Sequence, residues 1–484
     1  MKFQSTRGLE QGVASAEAIL RGIAKDGGLY VPESFPNLYD SLKKEKGLSY
    51  EELAFKVIKE YFTDIDENDL MSAINDAYNN RFDVKVEKGF LELYHGPTCA
   101  FKDAALLFLP QIMKRARKAL GVNDEVVILT ATSGDTGKAA LEGFKDVEGF
   151  KVVVYYPKNG VSAIQERQMA TQEGKNVKVF GINGNFDNAQ TGVKEIFGDE
   201  EFKAELAKDG IRLSSANSIN IGRLVPQIVY YFYGYFKLVE QGVIKEGEEI
   251  NVVVPTGNFG NILASHYAKE MGLPIHKFIC ASNENKVLTD FFQTGTYDKR
   301  RELVLTESPS MDILVSSNLE RLLFEACGRN GEEVKSLMES LNNGGVYKVS
   351  EKIASFMNEF YGNYANIDEV YAEIKEMYTK EGYLMDTHTG VAKVVYNKYK
   401  KETGDDRKVL IASTASPYKF PRSICKALGI NVENLNDFEV VKELNKETNV
   451  EIPKNLRDLD KKEILHNEVW DKDDMKKALL SYLK

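Results

Sequence analysis

The sequence predicts an α/β protein built on parallel sheets, and three observations predict it. From Glu92 onward, short β-branched runs recur, each followed by a glycine-rich turn and then a helical pattern. The runs are continuously apolar rather than alternating, as strands buried on both faces should be. At 484 residues the chain is long enough for a large core and more than one domain.

Before residue 90 the pattern is mainly helical. In "SYEELAFKVIKEYF", Ser49 and Glu52 have capping-box spacing, and Leu53, Val57, Ile58 and Tyr61 recur on one face. Three strand–loop–helix units follow: "EVVILTATSGDTGKAALEGF", "KVVVYYPKNGVSAIQERQMATQEG" and "INVVVPTGNFGNILASHYAKEMG". Their loops are expected to share one edge of a sheet, where such folds bind ligands. "RKVLIASTASPYKF" adds another strand and loop. Residues 285–380 read as mainly helical, and the last 50 or so as charge-rich with short helices. The resulting plan is an N-terminal domain over 1–90 and a core over 91–430, with a small subdomain at about 124–220 inserted in it. A C-terminal extension occupies 431–484.

A net charge of −10 without a sustained basic block argues against a nucleic-acid partner, so small anions must be bound locally. The longest apolar run, Ile228 to Phe236, is far short of the ~20 residues a membrane helix needs and reads as a buried helix. The N-terminus lacks the apolar core of a secretion signal, and four scattered cysteines show no disulfide framework, so a cytoplasmic setting is expected. Histidines 95, 266, 276, 388 and 466 are too dispersed for a zinc site, and no metal is expected.

Three places carry chemistry. "SGDTGKAA" (Ser133 to Ala140) resembles a phosphate loop, but Thr132 stands where Walker A needs glycine and Ala139 follows Lys138. It is not a G-x-S-x-G elbow either. A helix start that binds a carboxylate and a capped tight turn remain equal readings of this loop. "PTGNFGN" (Pro255 to Asn261) follows a buried strand, and its glycines let backbone amides approach a phosphate without any basic residue. In "HGPTCAFKDAALLFLP", Lys102 follows a Gly-Pro-Thr turn and precedes an apolar run, so it should enter the protein rather than leave for solvent. A desolvated amine has a lowered pKa and can form a Schiff base with a carbonyl cofactor. Such a lysine with a metal-free phosphate cradle implies pyridoxal phosphate.

"STRG" (Ser5 to Gly8), "AILRGIAKDGGLYVPE", "HGPTCAFKDAAL", "SGDTGKAA", "GVSAIQERQM", "NGNFDNAQ", "NSINIGRLVPQ", "PTGNFGN" and "STASPYKF" occur in order from residue 5 to about 425. Together they resemble threonine synthases of the longer bacterial and fungal branch. The resemblance implies a fold-type II pyridoxal-phosphate enzyme, similar to the tryptophan synthase β subunit. Two α/β subdomains with parallel-rich sheets and a mainly helical N-terminal domain are then expected. It also implies conversion of O-phospho-L-homoserine and water to L-threonine and phosphate, by a monomer or homodimer.

By the same resemblance Lys102 matches the Schiff-base lysine and the base for the α proton. Gly257, Asn258, Phe259, Gly260 and Asn261 match the cofactor-phosphate loop, and Thr414 the hydroxyl facing the pyridine nitrogen. Asp135 falls near the cofactor's phenolic oxygen, and Ser133, Gly134 and Thr136 near the substrate carboxylate. Asn217, Asn220, Arg223 and Lys419 match positions around the substrate phosphate. One departure is Ser416, where many relatives carry histidine, so any contact made by that ring is absent or replaced. Cys99 reads as a small buried thiol. A serine or threonine dehydratase or another β-replacement enzyme of the same fold, and a non-catalytic relative that binds pyridoxal phosphate or phosphorylated amino acids, are the competing readings.

Overall fold

The computed structural model describes residues 1–483 apart from Lys46, Ser133 and Asn159. Two parallel-rich sheets organise the chain. The larger has six strands in the order Phe360–Tyr364, Ile275–Ser282, Ile250–Pro255, Val409–Ser413, Phe90–His95 and Asp83–Glu87. All neighbours are parallel except the last pair. The smaller has five parallel strands in the order Val469–Asp471, Val177–Asn183, Phe150–Pro157, Glu125–Ala131 and Ile211–Ser214.

The apolar runs form these strands because both faces of each sheet are covered. Val252 and Val254 point into one cluster with the helix Ile221–Glu240, while Val253 points into another with Val391 and Val395 of the helix Thr387–Thr403. Burying each such side chain contributes ~1.5–3 kcal/mol. The run from Ile228 to Phe236 is indeed a helix in the core, closely applied to the large sheet. A Cβ on Gly234 would lie 2.7 Å from Leu410 Cδ2 and 2.9 Å from Leu91 Cδ1.

The capping box forms as expected: Ser49 Oγ accepts from Glu52 N, and Glu52 Oε2 accepts from Ser49 N. Leu53, Val57, Ile58 and Tyr61 are all buried. Residues 2–32 also contain a three-stranded antiparallel sheet. Among the described residues no helix is long and apolar enough to cross a membrane.

Three features differ from the sequence expectation. The loops after the strand–loop–helix units do not share one sheet: two units lie in the five-stranded sheet and the third in the six-stranded one. Continuous apolar runs show that a strand is buried, not which sheet it joins. Within 285–380, Phe360–Tyr364 is an edge strand paired with Ile275–Ser282, its apolar pattern too short and too polar to stand out. Near the end of the chain, Val469–Asp471 extends the small sheet beside Val177–Asn183. The helix Met475–Leu483 then covers that sheet, with Tyr155 Oη donating to Met475 O at 2.8 Å.

Candidate active site

Lys102 stands at the first position of the helix Lys102–Leu106, behind a turn that its neighbour Asp103 holds shut. Thr98 donates to Asp103 through its backbone N–H at 2.8 Å and its hydroxyl at 2.6 Å. A Cβ at Gly96 would sit 2.4 Å from Asp103 Oδ2, so the turn needs glycine there. Burial pushes the Asp103 carboxyl up to about 7. Cys99, with φ of 59°, is fully buried, and its thiol is pushed up to about 12. Residues 414–416 run alongside this turn: Phe101 N donates to Thr414 O at 2.8 Å, and Ser416 N to Cys99 O at 3.0 Å. Thr414 is thereby held, buried, next to Lys102.

The Lys102 amine donates to Ser310 Oγ at 3.2 Å. Burial brings its pKa from 10.5 down to about 8; Asp135 opposes this shift, while Lys419 and Arg223 add to it. A large fraction of the amine is therefore neutral near pH 8.

The loop after Ile250–Pro255 faces the same place. Gly257 packs under the turn containing Ser310, whose carbonyl oxygen would lie 2.6 Å from a Cβ there. Ser316 Oγ donates to Gly257 O at 2.6 Å, and Asn318 donates to Asn258 O from both N and Nδ2 at 3.0 Å. Phe259 is buried with φ of 66° and turns the chain into the helix Gly260–Glu270, which has no side-chain cap. Asn261 Oδ1 accepts from Tyr231 Oη, and among the described residues the Asn261 Nδ2 is buried without a partner. Helix amides without a side-chain cap, beside an unpartnered carboxamide donor, are the kind of groups that can receive an anion.

Opposite this loop, the small sheet contributes Thr132 and residues 134–137. Ser133 lies outside the described residues. Thr132 Oγ1 accepts from Gly134 N and Gly137 N, both at 3.0 Å, so it caps the helix Asp135–Phe144. Gly134 has φ of 146°, and a Cβ there would meet Gln165 Nε2 at 2.3 Å. Asp135 is buried, which by itself would raise its pKa. Lys419 Nζ at 2.5 Å, the Lys102 charge and Gln165 Nε2 at 3.0 Å instead hold its carboxyl well below the usual range. Lys419 is fully buried and also donates to Thr98 O at 3.1 Å, tying the two sheets' loops together. Thr136 is half-buried in the first turn of that helix.

The remaining expected residues separate. Asn217 is exposed. Asn220 is buried, but its carboxamide is fully engaged: Nδ2 donates to Ile19 O at 2.9 Å, and Oδ1 caps the helix Ile221–Glu240 at Gly222 N. It builds the helix start that carries Arg223. Arg223 is 5 % exposed, and Nη1 donates to Ala216 O at 2.6 Å. Among the described residues Nε is buried with no partner, and no carboxylate lies within 4 Å of the guanidinium. Burial alone lowers its pKa to about 10. Ser416, at the position often held by histidine, is buried and accepts from Tyr418 N at 3.3 Å, starting the short 3-10 turn Pro417–Lys419.

Sequence reasoning missed Ser310, which touches Lys102, and His388, whose Nε2 accepts from Ser310 N at 3.2 Å. Their contacts span 208 and 78 residues, so no local pattern announces them. The convergent groups are thus Lys102, Lys419 and Arg223 with the carboxylate of Asp135, the Asp103 carboxyl behind the turn, and the Gly257–Asn261 amides alongside. An amine close to neutrality beside an anion cradle fits pyridoxal phosphate. Arg223, which no carboxylate among the described residues reaches within 4 Å, fits a second anion.

Residues 2–78 match the family described as threonine synthase N terminus, and residues 90–414 match the family described as pyridoxal-phosphate dependent enzyme. The threonine synthase of Pseudomonas aeruginosa is 37% identical over 438 residues, covering 88% of this chain and 90% of that protein. A human protein called threonine synthase-like 1 is 41% identical over 440 residues, covering 87% of this chain; the match spans 58% of that longer relative. The crystal structure of pyridoxal-phosphate-bound threonine synthase from Brucella melitensis superposes with a TM-score of 0.87 at 35% identity, covering 100% of this chain and 98% of that one. The yeast threonine synthase structure gives 0.87 at 32%, with the same coverage.

Proposed function

Given that the chain belongs to the threonine synthase family of pyridoxal-phosphate-dependent enzymes, we propose that it converts O-phospho-L-homoserine and water to L-threonine and inorganic phosphate. The observation that carries this reading is Arg223, a buried guanidinium whose Nε has no partner, and whose charge no carboxylate reaches within 4 Å, among the described residues. A buried cation left in that state is costly unless an anion joins it. A substrate phosphate is such an anion, and the guanidinium fork can grip it with two hydrogen bonds.

Lys102 would hold the cofactor at its aldehyde carbon, Gly257 to Asn261 its phosphate, and Thr414 its ring nitrogen. When bound, pyridoxal phosphate supplies an electron sink for the charge left as the α proton departs. The rest falls to side chains. Lys102 Nζ takes the proton from Cα and serves the later proton transfers at Cβ and Cγ. Asp135 stays ionised and keeps Lys419 fixed at the wall of the site. Arg223 holds the phosphate as the Cγ–O bond breaks. Water then supplies the hydroxyl at Cβ, and a proton ends on Cγ as the methyl group forms. Thr414 would offer the ring nitrogen a neutral hydroxyl, which would not enforce full protonation as a carboxylate would.

A substrate panel tests the reading. O-phospho-L-homoserine should turn over, whereas L-homoserine, which lacks the leaving phosphate, should not. Faster release of 2-oxo acid from L-serine or L-threonine than turnover of the phosphorylated substrate would replace this proposal with a dehydratase.

A further inference from the structure

The helix Thr387–Thr403 begins in the core with a buried acid, a buried imidazole and two buried threonines. Asp386 caps it, accepting from His388 N at 3.0 Å and Thr389 N at 3.1 Å. Asp386 Oδ2 also lies 2.7 Å from His388 Nδ1. A carboxylate there can only accept, so the ring proton sits on Nδ1 and Nε2 keeps its lone pair. That lone pair faces Ser310 N at 3.2 Å. One residue earlier, Thr387 Oγ1 donates to Glu307 O at 2.5 Å. The helix start therefore grips the 307–310 segment at two points.

Ser310 is where that grip meets the site. Its hydroxyl takes the Lys102 amine, and its carbonyl oxygen occupies the space a Cβ on Gly257 would fill. A shift of this turn would move both the lysine and the loop opposite. A cap alone does not need a ring: Asp386 and Thr389 would start the helix with any residue at 388. The imidazole spans from the cap to Ser310 N, and its ring centre lies 5.1 Å from that of Phe420, the residue after Lys419.

We propose that Asp386 and His388 form a positioning pair that, through the Ser310 backbone, sets the Lys102 amine against the Gly257 loop. The pair acts as an outer support in the way that hydrogen-bonded second partners orient metal-bound histidines. His388 touches neither substrate nor cofactor in this account. The inference rests on Lys102 being the residue that holds pyridoxal phosphate.

The test uses the full chain loaded with pyridoxal phosphate. His388→Leu keeps the bulk but removes the acceptor, whereas His388→Gln can place Oε1 near the Nε2 position. His388→Leu should lose the cofactor on dilution about tenfold to a hundredfold faster than wild type and shift its visible absorption band, in line with the cost of a misplaced reacting group. His388→Gln should restore both to within about threefold. A folded His388→Leu with unchanged spectrum and loss rate would overturn the proposal, as would equal defects in both variants. If neither variant folds, the wild-type ring gives a second measurement. Its nitrogen resonances should report a neutral Nδ1–H tautomer and move when the cofactor is removed, and resonances indifferent to the cofactor would overturn the proposal. A wild-type chain that takes up no pyridoxal phosphate would instead sink the reading on which the proposal rests.

Discussion

Replacing Arg223 by methionine separates substrate binding from folding, because the structure predicts opposite signs for the two. The side chain is buried on the helix Ile221–Glu240, and among the described residues Nη1 to Ala216 O is its one side-chain hydrogen bond. Two charge-assisted hydrogen bonds to a substrate phosphate, at ~1.5–3 kcal/mol each, amount to ~3–6 kcal/mol. At ~1.4 kcal/mol per tenfold, kcat/KM for O-phospho-L-homoserine should fall about 10²- to 10⁴-fold. Stability should move the other way. Burial lowers the guanidinium pKa from 12.5 to about 10, a cost of up to about 3 kcal/mol that the methionine variant escapes. The cost is fully present below about pH 10, where both folded and unfolded states are charged, so it applies at neutral pH. Without phosphate, Arg223→Met should therefore melt no lower than wild type. With inorganic phosphate at ~100 times its Kd, wild type should gain ~2.7 kcal/mol of stability and the variant almost none. Initial rates with the phosphorylated substrate and paired melts with and without phosphate give both readings. Activity within about threefold of wild type, or an equal phosphate effect in both proteins, would refute the reasoning.

Lys102→Met should abolish turnover, and in the cofactor-free protein it should be more stable than wild type by up to about 3 kcal/mol below pH 8. The folded amine titrates near 8 and the unfolded one near 10.5, so this difference should shrink as pH rises between them; denaturant melts from pH 7 to 10.5 check it. Breaking the buried Asp135–Lys419 pair from one side, by Asp135→Asn or Lys419→Met, should cost ~3–5 kcal/mol each. The double variant should cost clearly less than the sum, as denaturant melts will show. Gly257→Ala should press a methyl group against Ser310 O, 2.6 Å away, and weaken retention of pyridoxal phosphate with little change in helix content. Gel filtration and absorbance measure that retention.

The parts of the site legible in the sequence were those with a local cause. Lys102 stands out because a Gly-Pro-Thr turn precedes it and an apolar run follows, and the structure lowers its pKa by burial as that setting implies. The Gly257 loop stands out because its glycines follow a continuous apolar strand, and Gly257 is where a side chain would not fit. Asn220 resembled a binding residue, but its position before Gly222 makes it equally a helix cap, and the cap is the role the structure gives it. Arg223 has no local signal of being unpaired, since any of the chain's many acids could have reached it. Ser310, His388 and Asp386 come together because the helix Thr387–Thr403 packs beside the strands Ile250–Pro255 and Ile275–Ser282, a pairing that sequence periodicity does not encode. The two sheets likewise became distinct only through the strand order.

The most direct test of the central claim is the yield of inorganic phosphate and L-threonine from purified protein loaded with pyridoxal phosphate and given O-phospho-L-homoserine alone. Equal amounts of both products are expected, and neither from Lys102→Ala. Phosphate released without threonine, or no turnover by a protein that holds the cofactor, would contradict it.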